Sequence, residues 1–524
     1  MKKSAILLLC LSFLLILTSC NNQSSQKSIS IKELEDKIKG AWAGKMIGVT
    51  YGFPTEFRAL GTTYDNELKW EPKQVHGALE QDDLYVQMSF MMTMDKYGID
   101  APADKFAKSF ATAGYPLWCA NVQARKNYFD GIMPPKSGHP KYNLWADAID
   151  FQIEADFIGF MSPGMPQTSN QICDKIGHIM NYGDGVYGGM FVCALYSEAY
   201  FEKDMNLIIK NALRAIPAES QYAECIRDVI RLHNKYPDNW RSAWEELNTK
   251  WVDTDVSGPL SPFNIDAKIN GAFIVMGLLY GDGDYGKTME ISIRCGQDSD
   301  CNPSNAAAVL GIRDGYSSIP DKWKSGMPAI ADSMFIFTEY SFNKVVDNTI
   351  KYVKKITKRN GGSVNQNSIT IKTQKPVAPE LEVSFPNIEP KYKIDLSDEN
   401  WTWKGDWNTR ETTDFLTQTA VNLQTARSKG SEAVVKFEGS GIMISGHWNK
   451  DHGKADIYVD GEFQRTIDTY YWVANVGNPM AYLYHNLTLS PGEHELRLVV
   501  RGDKNPKSED SKITLRGAVV YGKL

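Results

Sequence analysis

Two short acidic clusters contain the residues of this sequence whose types and spacing could support chemistry. The first covers residues 81–83 (QDD), before an apolar run with helical spacing; the second covers residues 298–301 (DSDC), before an alanine-rich segment. Aspartate is a favourable N-cap residue, which accounts for one carboxylate in each cluster but not for two closely spaced pairs. Hard divalent cations bind carboxylate oxygens, so two such pairs also fit a two-metal centre. The spacing alone leaves both interpretations open.

Composition and motifs argue against several other classes of protein. The sequence has no G-x-S-x-G element, Walker loop or H-E-x-x-H element, so serine-hydrolase, P-loop and zinc-protease functions have no support. The cysteines after residue 20 lack the paired spacing of structural zinc sites. The formal net charge is -6, and no long basic run occurs. We therefore expect no nucleic-acid partner.

The order of further motifs connects the two acidic clusters to a known family. A glycine-rich helical segment at residues 37–48 leads to a G-x-P-x-E turn at residues 52–56, which precedes the first cluster. The segment NYGDG follows at residues 181–185, and GQDSD follows at residues 296–300. In this order, and with these separations, the motifs resemble those of the ADP-ribosylglycohydrolase superfamily. The late acidic motif is the most specific of them.

The resemblance implies an all-α domain that binds two Mg²⁺ ions and hydrolyses N- or O-glycosidic bonds to ribose. Carried over by motif position, it implies a set of metal ligands: Gln81, Asp82, Asp83, Asp298, Asp300 and Cys301. It also implies catalytic roles for Glu56, Asp83 and Asp298, with Glu56 beside the metals as a general acid or base. Metals holding vicinal hydroxyls and a water are suited to an oxocarbenium-like transition state.

This chain departs from the family pattern at several positions. Gln81 and Cys301 stand where the family has Thr or Ser, and a thiol is a poor ligand for a hard cation. Substrate contact is expected from Asp184, Gly185 and Tyr187, in a glycine-rich run that allows close approach. There Asp184 replaces the Asn of a G-N-G element, and the arginine that often follows is missing. The expected metal core therefore matches the family better than the nucleotide-facing side.

The chain is long enough for at least two domains. From residue 31 to residue 356 the apolar spacing is mostly helical, which predicts one large α-helical catalytic domain. Residues 357–390 contain a glycine-asparagine breaker and four prolines, which predicts a linker with one short strand at residues 368–371. In residues 391–524 the apolar period becomes two, which predicts an all-β sandwich or jelly roll. Its tryptophans and the run at residues 470–472 are candidates for either a sugar platform or core.

The N-terminus resembles a lipoprotein leader. A basic start, an apolar stretch and the sequence LTSC predict a signal peptide over residues 1–20, with Cys20 lipidated. An ordinary cleavage site with an incidental cysteine is the alternative. Residues 21–30 are expected to be a polar tether. We therefore expect a lipid-anchored protein of the cell envelope, attached to the membrane through its N-terminal lipid.

Three functions remain open from the sequence. The first is a Mg²⁺-dependent glycoside hydrolase that cleaves a furanoside or related sugar outside the cytoplasm. The second is an ADP-ribosyl hydrolase that releases ADP-ribose from protein or a small molecule. The third is a non-catalytic glycan-binding lipoprotein. The leader favours the first over the second, because the cell envelope is rich in glycan, and the four aspartates with Glu56 argue against the third.

Overall fold

The computed structural model describes residues 25–252, 255–414, 419–473 and 481–524. It confirms the predicted division into an α-helical domain followed by a domain of antiparallel sheets. The expected signal peptide and lipidated Cys20 lie outside the described residues. In the part of the chain that is described, no helix combines the length and the apolar character needed to cross a membrane.

The helical domain consists of α-helices joined by loops and short 3₁₀ turns. In chain order the helices are α1 (Ile31–Gly52), α2 (Asp82–Tyr97), α3 (Ala103–Thr112), α4 (Cys119–Phe129), α5 (Asp150–Glu154), α6 (Asp156–Phe160), α7 (Pro166–Gly177), α8 (Asp184–Ala199), α9 (Met205–Ala212), α10 (Gln221–Lys235), α11 (Trp240–Trp251), α12 (Ala267–Tyr280), α13 (Tyr285–Arg294), α14 (Cys301–Asp314), α15 (Asp321–Lys324), α16 (Met327–Ile330) and α17 (Phe342–Arg359). The 3₁₀ turns are Phe53–Thr55, Pro72–Glu80, Leu213–Ala215 and Tyr316–Ser318.

The strands form three antiparallel sheets. In chain order they are β1 (Gln26–Ser30), β2 (Ser363–Val364), β3 (Ser368–Lys372), β4 (Ile388–Asp395), β5 (Trp401–Lys404), β6 (Asn408–Thr413), β7 (Ala420–Ala426), β8 (Glu432–Gly439), β9 (Gly441–Gly446), β10 (Gly453–Val459), β11 (Glu462–Asp468), β12 (Ala481–Asn486), β13 (Gly492–Lys504) and β14 (Ile513–Lys523). The small sheet has the order β1-β3-β2. The two large sheets have the orders β11-β10-β13-β8-β5 and β12-β9-β14-β7-β6, with β4 also paired to β14.

Helices α1 and α14 pack backbone to backbone through a row of glycines. Gly40, Gly44, Gly48 and Gly52 recur every fourth residue of α1, so they lie along one face of the helix. A Cβ on Gly40 would lie 2.1 Å from a carbonyl oxygen of α14, and a Cβ on Gly48 would lie 2.5 Å from another. Gly52 faces the turn immediately before α14. The helices are antiparallel, so the start of α14 lies beside the end of α1.

The structure differs from the predicted tether and linker. Gln26–Ser30, expected to be tether, forms β1, which pairs with β3 and buries Ile29 in the core. Residues 374–384, expected to be linker, lie on the helical domain, where the Gln374 amide donates to the Gly164 carbonyl (2.9 Å). Polar segments of this kind gain order from backbone partners that are distant in sequence, and local patterns do not show those partners.

The two large sheets enclose an apolar core that follows the predicted alternation. In β8 the inward residues Ala433, Val435 and Phe437 are buried while the residues between them are more exposed. Trp401 and Trp448, considered as members of a sugar platform, are buried in this domain. They therefore contribute to the core.

The β domain docks directly on the helical domain. The Tyr482 ring stacks on Trp145 with centroids 4.8 Å apart, and its hydroxyl donates to the Ser257 carbonyl. The Tyr521 hydroxyl donates to the neighbouring Val256 carbonyl (2.9 Å). Leu144 is buried in a cluster with residues of β9 and β14. The interface is therefore both apolar and hydrogen-bonded.

The contact between α1 and α14 gives a first prediction. Gly48→Ala should lower the free energy of unfolding by about 1–3 kcal/mol, because the added methyl meets backbone that cannot rotate away. Urea denaturation of the full chain measures the change. Gly77→Ala is the matched control, since its Cβ would make only an ordinary 3.5 Å contact with a methyl group. Equal stability of the two variants would contradict the close packing.

Candidate metal centre and active site

The turn before α14 gathers three potential metal ligands. One ligand atom from each of Asp298, Asp300 and Cys301 lies within 4.8 Å of the others, and all three side chains are buried. The Oδ1 atoms of Asp298 and Asp300 are buried without a hydrogen-bond partner among the described residues. Leaving such oxygens unpaired is costly, and a cation removes that cost. The carboxylate donors therefore fit a hard divalent cation.

The first acidic cluster joins the second at this turn. Asp82 and Asp83 occupy the first turn of α2, and Asp83 is fully buried. The Cys301 thiol donates to Oδ1 of Asp83 (3.1 Å). The two clusters, which are more than two hundred residues apart in sequence, therefore share one site. Their roles as metal ligands stay a prediction.

A buried lysine supplies positive charge beside the acidic clusters. Lys45 Nζ lies 3.2 Å from Oδ2 of Asp83 and 2.8 Å from Oδ2 of Asp156, and it also donates to the Ile153 carbonyl (2.9 Å). Burial alone would lower the pKa of Lys45, but Asp156 and then Asp83 outweigh it and raise that pKa. Sequence reasoning missed this residue. The available signal was a lysine between the glycines of α1.

Backbone pairing places Glu56 beside both clusters. The amide of Phe57 donates to the Gln297 carbonyl (3.1 Å), and the Gln297 amide donates to the Ala59 carbonyl (2.9 Å). Gln297 and Phe57 both adopt positive φ, at 55° and 52°, a strained conformation for residues other than glycine. Burial, followed by the charges of Asp300 and the α2 aspartates, raises the pKa of Glu56 well above its usual range. Its predicted position beside the clusters agrees with this geometry.

The carboxylates of the site repel one another when no cation is present. Burial, and then Asp83, raise the pKa of Asp82 to about 8. Burial raises the pKa of Asp300 to about 6, and burial with Asp300 raises that of Asp298 well above its usual range. Without a metal, some of these groups hold protons at neutral pH.

Two polar residues support the turn and one predicted ligand lies at its edge. Asn270 Oδ1 accepts from the Asp298 amide (3.4 Å) and from the Asn302 side chain (2.9 Å), a role that the sequence did not reveal. Gln81 is half-buried at the N-cap of α2, where its carbonyl accepts from the Leu84 amide (3.1 Å). Only its side-chain amide is therefore available as a metal ligand.

The segment at residues 152–156 lies within the protein rather than on an exposed face. Glu154 is buried and hydrogen-bonded to the Asn121 side chain (2.5 Å). Burial and then Asp150 raise the pKa of Glu154 well above its usual range. Asp150 accepts from the first amides of α4, although burial still raises its pKa to about 7. These two carboxylates extend the acidic region toward α4.

The predicted substrate-binding run is covered by a later segment of the chain, and its contact with substrate stays a prediction. Tyr187 donates its hydroxyl to the Glu380 carbonyl (3.0 Å) and accepts from the Glu382 amide (2.6 Å), so the segment before β4 covers it. Gly185 packs against Ala146, before α5, where a Cβ would lie 2.4 Å from the Ala146 carbonyl oxygen. Burial raises the pKa of Asp184 to about 7, against the opposing charge of Lys268. Sequence spacing could not show that a segment two hundred residues later covers this run.

The helical domain carries paired carboxylates at the N-termini of two helices. Comparison with known protein families identifies the class to which this domain belongs. The sequence model of the ADP-ribosylglycohydrolase family matches residues 30–347, more than half of the chain. The chain therefore belongs to the ADP-ribosylglycohydrolase family and is a hydrolase of that family.

Individual relatives are more distant. The A type blood alpha-D-galactosamine galactosaminidase of Flavonifractor plautii is 30% identical over 113 residues, which is 21% of this chain. The chain spans only 10% of the length of that protein. A solved ADP-ribosylglycohydrolase-related protein complex aligns with 62% of this chain and 99% of its own, at 14% identity and a TM-score of 0.42. A two-domain esterase active on acetylated mannans aligns with 34% of this chain and 45% of its own, at 15% identity and a TM-score of 0.21.

The raised carboxyl pKa values predict a pH-dependent effect of Mg²⁺ on stability. In chelator, the folded protein holds protons on Asp82 and Asp300 that the unfolded chain releases, so these groups destabilise the fold as pH rises. Mg²⁺ binds the deprotonated carboxylates and reverses that loss. The Mg²⁺-induced increase in Tm should therefore be larger at about pH 8.5 than at about pH 5.5. Scanning calorimetry with Mg²⁺ and with chelator measures it.

Two variants control for nonspecific ion effects. Asp298→Asn should remove most of the Mg²⁺-induced increase, whereas Asp321→Asn, at an exposed side chain, should retain it. An increase that is independent of pH, or the same in both variants, would argue against these carboxylates as ligands.

The thiol at the start of α14 gives a further prediction. Cys301→Ser should keep or increase Mg²⁺ affinity, because a hydroxyl is a harder donor than a thiol beside Asp83. Titration with Mg²⁺, followed by calorimetry, measures the dissociation constant. Cys225→Ser, at a buried thiol in α10, is the matched control and should alter stability alone. Reduced Mg²⁺ affinity in Cys301→Ser only would contradict the prediction.

Proposed function

We propose that this protein is a Mg²⁺-dependent glycoside hydrolase that acts on a furanoside or related sugar. The observation that carries the proposal is the pair of buried, unpartnered carboxylate oxygens on Asp298 and Asp300, linked through Cys301 to Asp83. Family membership supports a hydrolase that cleaves glycosyl bonds. The metal, its identity and its number are our proposal, with two ions following from the family resemblance.

The distribution of charge supports a metal at this site. Glu56, Asp82, Asp83 and the two aspartates before α14 lie together. Among the described residues, Lys45 is the cation that forms an ion pair with one of them, and it is shared with Asp156. One lysine does not balance that many carboxylates. Divalent cations held by Asp82, Asp83, Asp298 and Asp300 would remove the repulsion. A bound divalent cation would hold sugar hydroxyls and polarise a water.

Glu56 is the proposed proton-transfer residue. Glu56 is half-buried beside both clusters, and its pKa is raised, mainly by burial, which favours its protonated form. In this proposal Glu56 donates that proton to the leaving-group atom of the glycosidic bond as the bond breaks. It then accepts a proton from the attacking water. Lys45 holds the Asp83 carboxyl group in position through their buried contact.

A sugar without a diphosphate suits the protein better than ADP-ribose. A diphosphate requires cationic or backbone N–H donors, whereas Asp184 contributes a carboxyl group and the segment at residues 380–384 covers the run around it. The Flavonifractor relative is also named as a glycosidase. Anchoring outside the cytoplasm through Cys20 stays part of this proposal.

Activity measurements test the metal requirement. The full chain without its leader is assayed against a panel of aryl glycosides, including furanosides, and an ADP-ribosyl-arginine substrate, with Mg²⁺ and with chelator. Asp298→Asn should lower kcat by at least about a hundredfold, because the interaction it removes acts in the transition state. Asp321→Asn should keep full activity. Full activity in chelator after dialysis would refute the metal dependence.

Calorimetric titration with ADP-ribose separates the two enzymatic functions. We expect dissociation constants weaker than about 1 mM for the Mg²⁺-loaded protein, since Lys268, the cation that acts on Asp184, is itself paired with Asp266. Micromolar binding would instead favour the ADP-ribosyl hydrolase function.

A further inference from the structure

A buried arginine near the acidic clusters has two N–H groups that donate no hydrogen bond. Arg125, in α4, is fully buried, and its Nη1 donates to the Tyr115 carbonyl (2.7 Å) and the Tyr471 hydroxyl (3.3 Å). Its Nε and Nη2 have no hydrogen-bond partner, and it forms no ion pair with a described carboxylate. These two N–H groups lie on one edge of the guanidinium and are the fork that binds a carboxylate bidentately. A guanidinium is always charged, so this burial is costly without a partner.

Two acceptors on the same side of the domain are also unpaired. Asn121 precedes Arg125 by one helical turn of α4, so their side chains share a face. The Asn121 side-chain amide donates to Oε1 of Glu154. Two oxygens of this pair, Oδ1 of Asn121 and Oε2 of Glu154, are buried without hydrogen-bond partners. Four polar atoms on α4 and on Glu154 of α5, which Asn121 contacts, thus lack partners. A ligand carrying both an anionic group and hydroxyls has the groups that these atoms need.

This polar region lies between the acidic clusters and the β domain. The charged neighbours of Glu154 include Asp82 and Asp83, so one end of the region borders the proposed metal centre. At the other end Tyr471, from the β domain, accepts from Arg125. Two rings connect Arg125 to the surface: Tyr115 lies 5.1 Å from the guanidinium, and the half-exposed Phe337 meets Tyr115 edge to face at 5.9 Å. These two rings must move when a ligand enters.

We propose that Arg125, Asn121 and Glu154 form a subsite for the carboxylate of an acidic sugar, such as a uronic acid, next to the bond that is cleaved. The inference rests on the proposed glycosidase function and specifies its substrate class. The carboxylate accepts from Nε and Nη2 of Arg125, and ring hydroxyls pair with Asn121 and Glu154. A monoanionic carboxylate suits this position better than a phosphate dianion, because the aspartates nearby repel the larger charge.

Binding of simple probes to the full, Mg²⁺-loaded chain tests the subsite. D-glucuronate and D-galacturonate are compared with their neutral matches, D-glucuronamide and D-galactose, by calorimetry or ligand-observed NMR, with inorganic phosphate as a separate arm. At least one uronate should bind about tenfold more tightly than its neutral match, the effect of one charge-assisted fork. Equal affinity for acid and neutral probes, or tighter binding of phosphate than of either uronate, would overturn the proposal.

Substitution of the arginine assigns the effect. Arg125→Lys keeps the charge but loses the fork, so the preference for the acid should fall about tenfold. Arg313→Lys is the matched control, because that arginine lies at the far end of α14 and pairs with Asp314. A preference retained in Arg125→Lys would overturn the assignment. If Arg125→Lys does not fold, the comparison of glucuronate with glucuronamide on the unmodified chain still decides.

A chelator separates this inference from the proposed function. The subsite consists of protein groups alone, so the preference for the acid should persist in EDTA, where the proposed hydrolysis stops. Activity that persists in EDTA would remove the metal mechanism and leave the subsite standing. Loss of acid preference with metal-dependent activity intact would remove the subsite alone.

Discussion

The approach of α1 to α14 is the constraint on which the rest of the structure depends. Glycines at every fourth position of α1 allow the two backbones to meet, and any side chain there would separate them. Because the helices are antiparallel, this contact brings the turn after α1 to the turn before α14. Glu56 on the first turn and Asp298 on the second therefore face a common space. Lys45 lies between two of these glycines in α1, and its side chain contacts Asp83 of α2.

The site concentrates negative charge in the interior, and the fold holds it there against repulsion. Asn270 holds the backbone of the turn by accepting from the Asp298 amide, whereas helix N-termini and the buried ammonium group of Lys45 stabilise some carboxylate oxygens. They do not stabilise all of them, since Oδ1 of both Asp298 and Asp300 stays unpaired. Positive φ at Gln297 and Phe57 shows that the backbone also adopts strained conformations around the site. Strain and unpaired charge of this kind are typical of functional sites, where a fold gives up some stability.

Much of the fold could be predicted from local patterns, because the spacing of apolar residues changes from a helical period to a period of two near residue 390. The two acidic clusters could also be found, since closely spaced aspartates before apolar runs have few structural explanations. Lys45 and Arg125 could not be found, because a buried cation is recognised only through partners from other helices. The covered position of Tyr187 could not be found for the same reason. Its partner segment, which includes Glu380, is distant in sequence and has no regular apolar spacing. Gln26–Ser30 was wrongly expected to be tether, because a short segment with one buried isoleucine is recognised as a strand only once its pairing strand, β3, is known.

The docking of the β domain has a consequence for how the chain can be divided. Tyr482 and Tyr521 hold the carbonyls of Ser257 and Val256, a few residues before Asn264, whose amide donates to the Gln297 side chain. Gln297 in turn precedes Asp298. A chain ending where the family match ends would lose these contacts and uncover Trp145. It would also deprive β1 of β3, its pairing partner. The boundaries of homology and the boundaries of autonomous folding therefore do not coincide, and an exchange of the β domain for another would have to reproduce this surface.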